Sequence, residues 1–597
     1  MFSLRRAAPL ALPLLFVFTT QPGAQPTSLS ARRAQLRDAI EQEWQYELAA
    51  NPEMATQFGY TQYNDRLSDY SASAEEKRVT HDRDEIRVFD AIDTSGFPEQ
   101  EILNRTLMLR RLRQRVEAAA FRKWEMPVDQ YNGVHLVFAE LSSDMPFNTV
   151  KDYENYLARL HAIPPALNQV TADMQMGLHD HLMPPRYLLE KVVTQAEQIA
   201  NKPLASSPFS APLNKFPGSI SPADRARLTL AIQAAIHNDV DPAYKLFAAF
   251  VKNDYAPQGR TDDGVWALPD GAARYRFAVR TMTTTDLTPE QIHAMGLKQV
   301  AQIEAQMLAL ARSLGFRDLA SFNDHIRHDP SHYGKSGQQI FDLYQHYTDQ
   351  MYAKLPQLFG HLPKTKLVVV PMEPFREPAS PPADYGPGSG DGSRPGRINV
   401  NEYDPTHRLL LNVEAIAYHE GVPGHHIQFS IAQELPDIPA FRRFGEYNAF
   451  SEGWAFYAER LGKEVGFYQD PYSEYGRLEN EMWRSVRLVV DTGVHSQHWT
   501  RQQMIDYFHK YTAMDDQNID TEVDRYIAWP GQALAYKIGQ MKILELRARA
   551  KRELGSKFDI RAFHDAVLGE GPLPLDILDQ RITAWIAHQR RPHRSGS

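Results

Sequence analysis

The sequence predicts a mainly α-helical protein with a small β-sheet beside its candidate site. Three observations carry that expectation. Apolar residues recur at helical spacing through most of the chain, with short Pro-containing breaks between the periodic stretches. Two helix starts are spelled out by their capping residues. Only two short stretches, 366–370 and 397–401, read as strands.

The elements follow in order. Leu29 to Ala50 places Leu36, Ile40, Trp44 and Leu48 four residues apart, the spacing of one helix face, and Asn51-Pro52 ends the run. Helical patterns continue through 75–92, 100–117 and 150–162. His179 and His181 precede Pro184-Pro185; alternate spacing does not suit one helical face, so they read as surface residues. The stretch 202–222 is rich in Pro, Ser and Asn and is expected to be a long loop, after which 222–250 returns to helix. Thr288-Pro289-Glu290-Gln291 is a capping box with Pro at the first helical position, so a helix is expected to about Leu314, stopped by Gly315. Ser336-Gly337-Gln338-Gln339 opens another, expected to reach about Phe359 before Gly360. Lys366 to Val370 is the best strand. A Pro/Gly segment, Pro371 to Pro395, separates it from Arg397 to Asn401, which alternates like a half-buried edge strand.

Composition narrows the function classes. A net charge of −9 over 597 residues argues against nucleic acid as a partner. The chain has no Cys, which excludes disulfides, cysteine nucleophiles and thiolate metal sites. Any zinc must be held by His and carboxylate. No G-x-S-x-G elbow points to a nucleophilic serine. At the N-terminus, Arg5 and Arg6 precede an apolar run, Ala7 to Phe18, and small residues follow at Gly23-Ala24. Residues 1–25 therefore read as a secretory signal, with export to a periplasm or beyond the cell, and no cysteine is available for a lipid anchor. No later segment reads as membrane-spanning. The remainder, 26–597, is expected as a single helical domain, divisible into lobes 26–280 and 281–597, with the chemistry in the second.

The chemistry centres on Tyr418-His419-Glu420-Gly421-Val422-Pro423-Gly424-His425-His426, which holds three histidines and a carboxylate. The zinc pattern H-E-x-x-H places two histidines one helical turn apart, with the glutamate as base. Here His419 and His425 are six apart. His426 lies seven on, which on a straight helix is roughly 10 Å along the axis. Nitrogens each about 2 Å from one zinc cannot be that far apart. A metal site therefore requires a deformed helix. Pro423 removes the bond to the His419 carbonyl, and Gly421 and Gly424 ease an irregular turn. A bulge of two residues would bring His425 into place, and a bulge of three His426.

Three later segments supply partners. Glu452 lies among Ala449, Ala455 and Phe456 on an apolar helix face, where a carboxylate needs a counter-charge. It is either a buried ion pair or, with a histidine pair nearby, the third metal ligand. Arg487, Asp491 and His495 recur every four residues as one polar stripe on an apolar helix. Asp491 is a candidate to orient a metal-binding histidine, and Arg487 and His495 are candidates to meet substrate; an internal ion network is the alternative for each. In the segment 524–539, Pro530 is expected to begin a helix, and Tyr526 and Tyr536 are candidates to donate to an oxyanion.

The strings HEGVPGHH (419–426), SEGWAFYAE (451–459), RLVVDTGVH (487–495) and WPGQALAYKIG (529–539) together resemble the bacterial family known as domain of unknown function 885, a relative of the gluzincin-type zinc peptidases. Fainter similarity extends to 264–271 and 287–290, so the resemblance covers most of the chain. It implies a large helical zinc-peptidase-like fold around a central cleft. It further implies His419 and His425 as ligands to one Zn2+ per chain, Glu452 as third ligand and Glu420 as general base. The residues inserted between Glu420 and His425 depart from the ordinary pattern and keep His426 as a reserve ligand.

The resulting expectation is an exported zinc metallopeptidase acting on short peptides, with Glu420 moving the proton and Tyr536, Tyr526 or His495 stabilising the oxyanion. Arg397 or Lys537 would take a terminal carboxylate, and strand 397–401 would pair with an extended peptide. The alternatives are a metal-dependent amidase or esterase, and a non-catalytic exported metal-binding or interaction protein. The adjacent base Glu420 argues against the last, because a purely structural metal site has no use for one.

Overall fold

The computed structural model describes residues 28–372, 377, 380–388 and 394–591. The signal reading of residues 1–25 lies outside them, as does part of the segment 371–395. The chain is mainly α-helical, with one three-stranded sheet among the described residues.

Helix Leu29–Ala50 has the bounds its apolar spacing predicts, and the Ser28 side chain caps the N–H of Ala31. Helix Pro289–Ser313 carries the expected capping box between Thr288 and Gln291. Three expectations need correction. The pattern at 150–162 continues as one helix, Val150–Asp180, straight through Pro164 and Pro165. Burial of Leu160, Ile163, Leu167 and Val170 around the two prolines outweighs the backbone bonds they remove. The helix opened by Ser336 stops at Tyr352 rather than Phe359, and a separate turn, Leu355–Leu358, follows. The expected long loop is largely wound into short 3-10 turns at Leu204–Ser206 and Pro208–Asn214.

The sheet comprises β1 (Leu367–Pro371), β2 (Ala383–Gly386) and β3 (Gly396–Val400) in the order β1-β3-β2. β3 runs parallel to β1 and antiparallel to β2, with Ile398 opposite both Val369 and Tyr385. Strand 397–401 is thus central, not an edge, and both of its backbone sides are already paired. Among the described residues β1 and β2 are the outer strands, and β2 carries Tyr385, whose hydroxyl donates to Nδ1 of His426 at 3.1 Å.

One apolar cluster joins Leu36 and Trp44 of the first helix to Tyr418, Trp454 and Ile538 around the motif and to Ile582 near the C-terminus. A second lies within 128–256. Helices Asn448–Glu464 and Ala535–Leu554 pack at very short range. A Cβ on Gly453 would lie 2.5 Å from the Gly539 Cα, and one on Gly539 would lie 1.8 Å from the Ala449 carbonyl oxygen. This close crossing brings Glu452 and Tyr536 to one place.

Candidate metal centre

Helix Val413–Glu420 ends on the two residues that carry the chemistry, His419 and Glu420. The chain turns through Gly421 to Gly424, with a cis Val422–Pro423 bond, and a second helix, His425–Glu434, begins. The anticipated bulge is therefore a complete break between two helices. Three hydrogen bonds pin the break: the Gly421 N–H donates to the Ala417 carbonyl at 3.0 Å, the His426 N–H to the Gly421 carbonyl at 3.1 Å, and the Trp454 indole N–H to the Pro423 carbonyl at 3.0 Å. A Cβ on Gly424 would lie 2.0 Å from the His419 carbonyl oxygen, so only glycine allows the chain to fold back this tightly. The fold-back sets the His419 and His425 rings 5.0 Å apart at an interplanar angle of 87°.

Helix Asn448–Glu464 completes the group. Oε2 of Glu452 lies 3.6 Å from Nε2 of His419 and 3.6 Å from Nε2 of His425. One ligand atom from each of the three residues lies within 4.8 Å of the others. A tetrahedral ion with bonds of about 2.0–2.2 Å spaces its donors by roughly 3.4 Å, so a small side-chain movement closes the group on one ion. Two imidazoles and one carboxylate form the donor set of hydrolytic zinc centres that keep a fourth position open. The three residues fit such an ion.

The other face of His419 is anchored. Its Nδ1–H donates to Oε1 of Glu459 at 2.8 Å, which leaves Nε2 as the atom turned toward Glu452. Glu459 also accepts from the Asn480 amide at 3.3 Å. Burial pulls the His419 imidazole down, but Glu452 and Glu459 outweigh it and hold its pKa up at about 9. Burial pushes Glu452 upward, yet its contacts with His419 and His425 bring it well below the usual carboxylate range. Glu420 is raised, first by burial and then by Glu452 and Asp384, against the lowering effect of the two histidines. Nδ1 of His425 is buried without a hydrogen-bond partner among the described residues.

His426 faces away from this group. Its Nε2–H donates to the Thr365 carbonyl at 3.1 Å, and its Nδ1 accepts from the Tyr385 hydroxyl at 3.1 Å. Burial lowers its pKa to about 4.

Tyr536 lies against the group: its ring is 6.5 Å from that of His419 and nearly parallel to it, with the Arg487 guanidinium 4.4 Å over the Tyr536 ring. Arg487 itself donates to the Tyr526 hydroxyl at 2.8 Å and to Glu522 at 3.0 Å. The Tyr526 hydroxyl is thereby consumed, donating to Glu522 and accepting from Trp483 and Arg487.

His495 is also spent internally. Its Nδ1 accepts from the Val265 N–H and its Nε2–H donates to the Tyr526 carbonyl, each at 3.0 Å. Asp491 accepts from the Tyr275 hydroxyl at 2.6 Å and from the Gly531 N–H at 3.1 Å. The carboxylate that holds the far nitrogen of a motif histidine is therefore Glu459 and not Asp491, and the stripe Arg487-Asp491-His495 faces protein partners rather than an open cavity. Lys537 is buried, with its ammonium donating to Glu481 and Gln540 at 2.9 Å each. Arg397 sits on the central strand β3, its Nε buried without a partner among the described residues. Pro530 does not open a helix; a turn and a 3-10 segment, Gln532–Leu534, intervene, and the helix begins at Ala535.

Two neighbours of the group were not anticipated. Glu459 lies two helical turns beyond Glu452 in the same string, and that spacing on one apolar face was its visible signal. Tyr385 on β2, whose ring is 6.4 Å from that of His425, had no local signal.

Comparison with known proteins places these features in a group. The fold is similar to the crystal structure of a Colwellia psychrerythraea protein named "putative lipoprotein", at 26% identity and a TM-score of 0.87, covering 93% of this chain and 99% of that one. It is also similar to a Shewanella oneidensis "putative lipoprotein of unknown function", at 16% identity and a TM-score of 0.69, covering 92% and 99%. Likeness to Trypanosoma cruzi metallocarboxypeptidase 1 is slight, at 12% identity and a TM-score of 0.32 over 85% of this chain and 95% of that one, and carries no argument. No curated protein matches the chain. Among the described residues no helix is long and apolar enough to cross a membrane. A family model, described as a bacterial protein of unknown function (DUF885), matches residues 52–582, and the chain belongs to that family.

Proposed function

We propose that the chain is an exported zinc-dependent metallopeptidase that hydrolyses short peptides. The observation that carries the reading is the convergence of His419 Nε2, His425 Nε2 and Glu452 Oε2 beside Glu420. His419, His425 and Glu452 would hold the ion, which when bound supplies Lewis-acid polarisation of the scissile carbonyl and activation of water. Glu420 would take the proton from that water and pass it to the leaving amine nitrogen. A carboxylate raised by burial suits a base that works near neutral pH. Glu459 would fix the tautomer of His419.

Of the three oxyanion candidates, Tyr536 is the one we retain, because its ring packs on His419 while the polar atoms of Tyr526 and His495 are engaged elsewhere. For the peptide itself, β2, an outer strand among the described residues whose Tyr385 ring lies 6.4 Å from that of His425, replaces the central strand 397–401 as the one that would lie beside an extended chain.

The test is zinc analysis of the pure protein together with hydrolysis of a peptide library, wild type against Glu420→Gln. The expected result is unchanged zinc with activity lower by about 10²- to 10⁴-fold, the range of a lost general base. Equal activity in the two proteins would sink the mechanism, and absence of bound zinc after reconstitution would sink the site.

A further inference from the structure

A second group of metal-ligating side chains lies outside this centre. His325 lies in the last turn of helix Leu319–His328, Asp329 follows as its C-cap, and His332 ends the short turn Pro330–His332. One ligand atom from each lies within 4.8 Å of the others. Oδ2 of Asp329 is 3.8 Å from Nε2 of His325 and 3.9 Å from Nε2 of His332. These separations are within a few tenths of an ångström of the 3.6 Å found between Glu452 and its two histidines.

Three details argue that the grouping is more than surface ion pairing. Asp329 is held in orientation: its Oδ1 accepts from the Ser331 N–H at 2.9 Å, which leaves Oδ2 toward both rings. Nε2 of His332 is buried without a hydrogen-bond partner among the described residues, and its side chain is only 11% exposed. A buried polar atom left alone is uncommon and calls for a missing partner. The Tyr472 hydroxyl is hydrogen-bonded to Nε2 of His325 at 3.4 Å, which sets a further oxygen beside that nitrogen. The side chains of His325 and Asp329 are about one-third exposed, at 36% and 33%, so an ion can reach the group from solvent.

We propose that His325, Asp329 and His332 form a second divalent-metal site, matched by its two imidazoles and one carboxylate to Zn2+, that fastens the approach to the motif helix. The site sits where its own backbone holds that approach. The Leu410 N–H donates to the His332 carbonyl at 2.8 Å, the Gly334 N–H donates to the Arg408 carbonyl at 3.1 Å, and Tyr333 bridges antiparallel to Leu409. Three residues beyond Leu410, helix Val413–Glu420 begins and carries His419 and Glu420. An ion here closes the loop 325–332 and stabilises the backbone against which 408–410 rests.

The test counts zinc by mass spectrometry on the full chain after dialysis against buffered Zn2+, with circular dichroism to confirm folding. Wild type is expected to hold two equivalents, His425→Ala one, and His425→Ala/His332→Ala none. Wild type with one equivalent and His332→Ala unchanged would overturn the second site, as would one equivalent retained by the double variant. Loss of an equivalent on His425→Ala reports on the first centre alone, so the two sites fail or stand separately. Should the His332 variant not fold, His325→Ala and Asp329→Asn serve instead, because His325 is partly exposed and Asn can keep the Ser331 cap. Each is expected to lose one equivalent and the part of the zinc-induced rise in melting temperature that it supplies; an unchanged count in both overturns the proposal.

Discussion

Oε1 of Glu459 lies 2.8 Å from Nδ1 of His419, and this contact decides which nitrogen of that ring faces Glu452. With its Nδ1–H held by Glu459, the ring that gives up its Nε2 proton to an incoming ion is left with the lone pair on Nε2 and needs no change of tautomer. The negative charge behind the ring also raises its basicity as a donor. Glu459→Gln keeps the shape but removes the charge. Metal affinity is expected to fall by about 10- to 100-fold, the usual effect of losing an outer hydrogen-bonding partner. Competition against a chromophoric chelator measures it, and an unchanged affinity would leave Glu459 a structural residue.

The neighbouring histidines separate cleanly by substitution. His425→Ala removes a donor from the convergent group, so its zinc affinity is expected to fall by more than the roughly 100-fold that an outer partner can cost. His426→Ala leaves the three converging atoms in place and is expected to keep stoichiometric metal. It strands the Thr365 carbonyl, which His426 now satisfies, and should cost about 1–3 kcal/mol in denaturant unfolding. The opposite pattern, metal lost with His426 and kept with His425, would exchange the two roles.

What the sequence made legible was the local chemistry. The spacing of His419 and His425 with Pro423 and two glycines between them announced a broken helix, because no regular helix brings those nitrogens together. Glu452 stood out as a carboxylate on an apolar face. Features set by long-range pairing were not legible. Strand 397–401 alternates like a half-buried strand whether it lies at the edge or in the middle, and only the pairing with both β1 and β2 decides. The stripe Arg487-Asp491-His495 was correctly polar, yet nothing in 487–495 reveals that Tyr275, Gly531, Val265 and Glu522 arrive from elsewhere to satisfy it. The helix Val150–Asp180 survives two prolines for the same reason: burial along its length is a tertiary quantity.

The crossing of helices Asn448–Glu464 and Ala535–Leu554 gives a third test. A Cβ at Gly539 would lie 1.8 Å from the Ala449 carbonyl oxygen, and that atom is backbone, so the helices must separate. Ala449 is one helical turn before Glu452, so the movement carries the third ligand with it. Gly539→Ala is expected to destabilise by about 1–3 kcal/mol or more, as overpacking does, and to weaken zinc binding along with stability. Gly218→Ala is the control, since nothing lies within 4 Å of the Cβ it would add. A Gly539→Ala protein with wild-type melting temperature and zinc affinity would mean that the close contact does not set the ligand geometry.

Asp491 and His495 lie one turn apart on the same buried helix and should respond to pH in opposite senses. Burial drives the His495 imidazole down to about 3 from its ordinary 6.5, partly offset by its bond to the Tyr526 carbonyl. The folded chain therefore holds fewer protons there than the unfolded chain. The stability this contributes is complete above pH 6.5 and is lost as pH falls toward 3. Burial drives the Asp491 carboxyl up to about 7 from 3.8, against the Tyr275 hydroxyl and the Gly531 N–H. Here the folded chain holds the extra proton, so its contribution is complete below pH 3.8 and is lost as pH rises to 7. Denaturant unfolding across this range should show the stability of wild type relative to His495→Asn falling on acidification below pH 6.5. Wild type relative to Asp491→Asn should instead fall as pH rises toward 7 and level off above it. Parallel pH profiles for wild type and both variants would mean that neither group changes protonation on unfolding, and that the polar stripe holds its charge state by means other than burial.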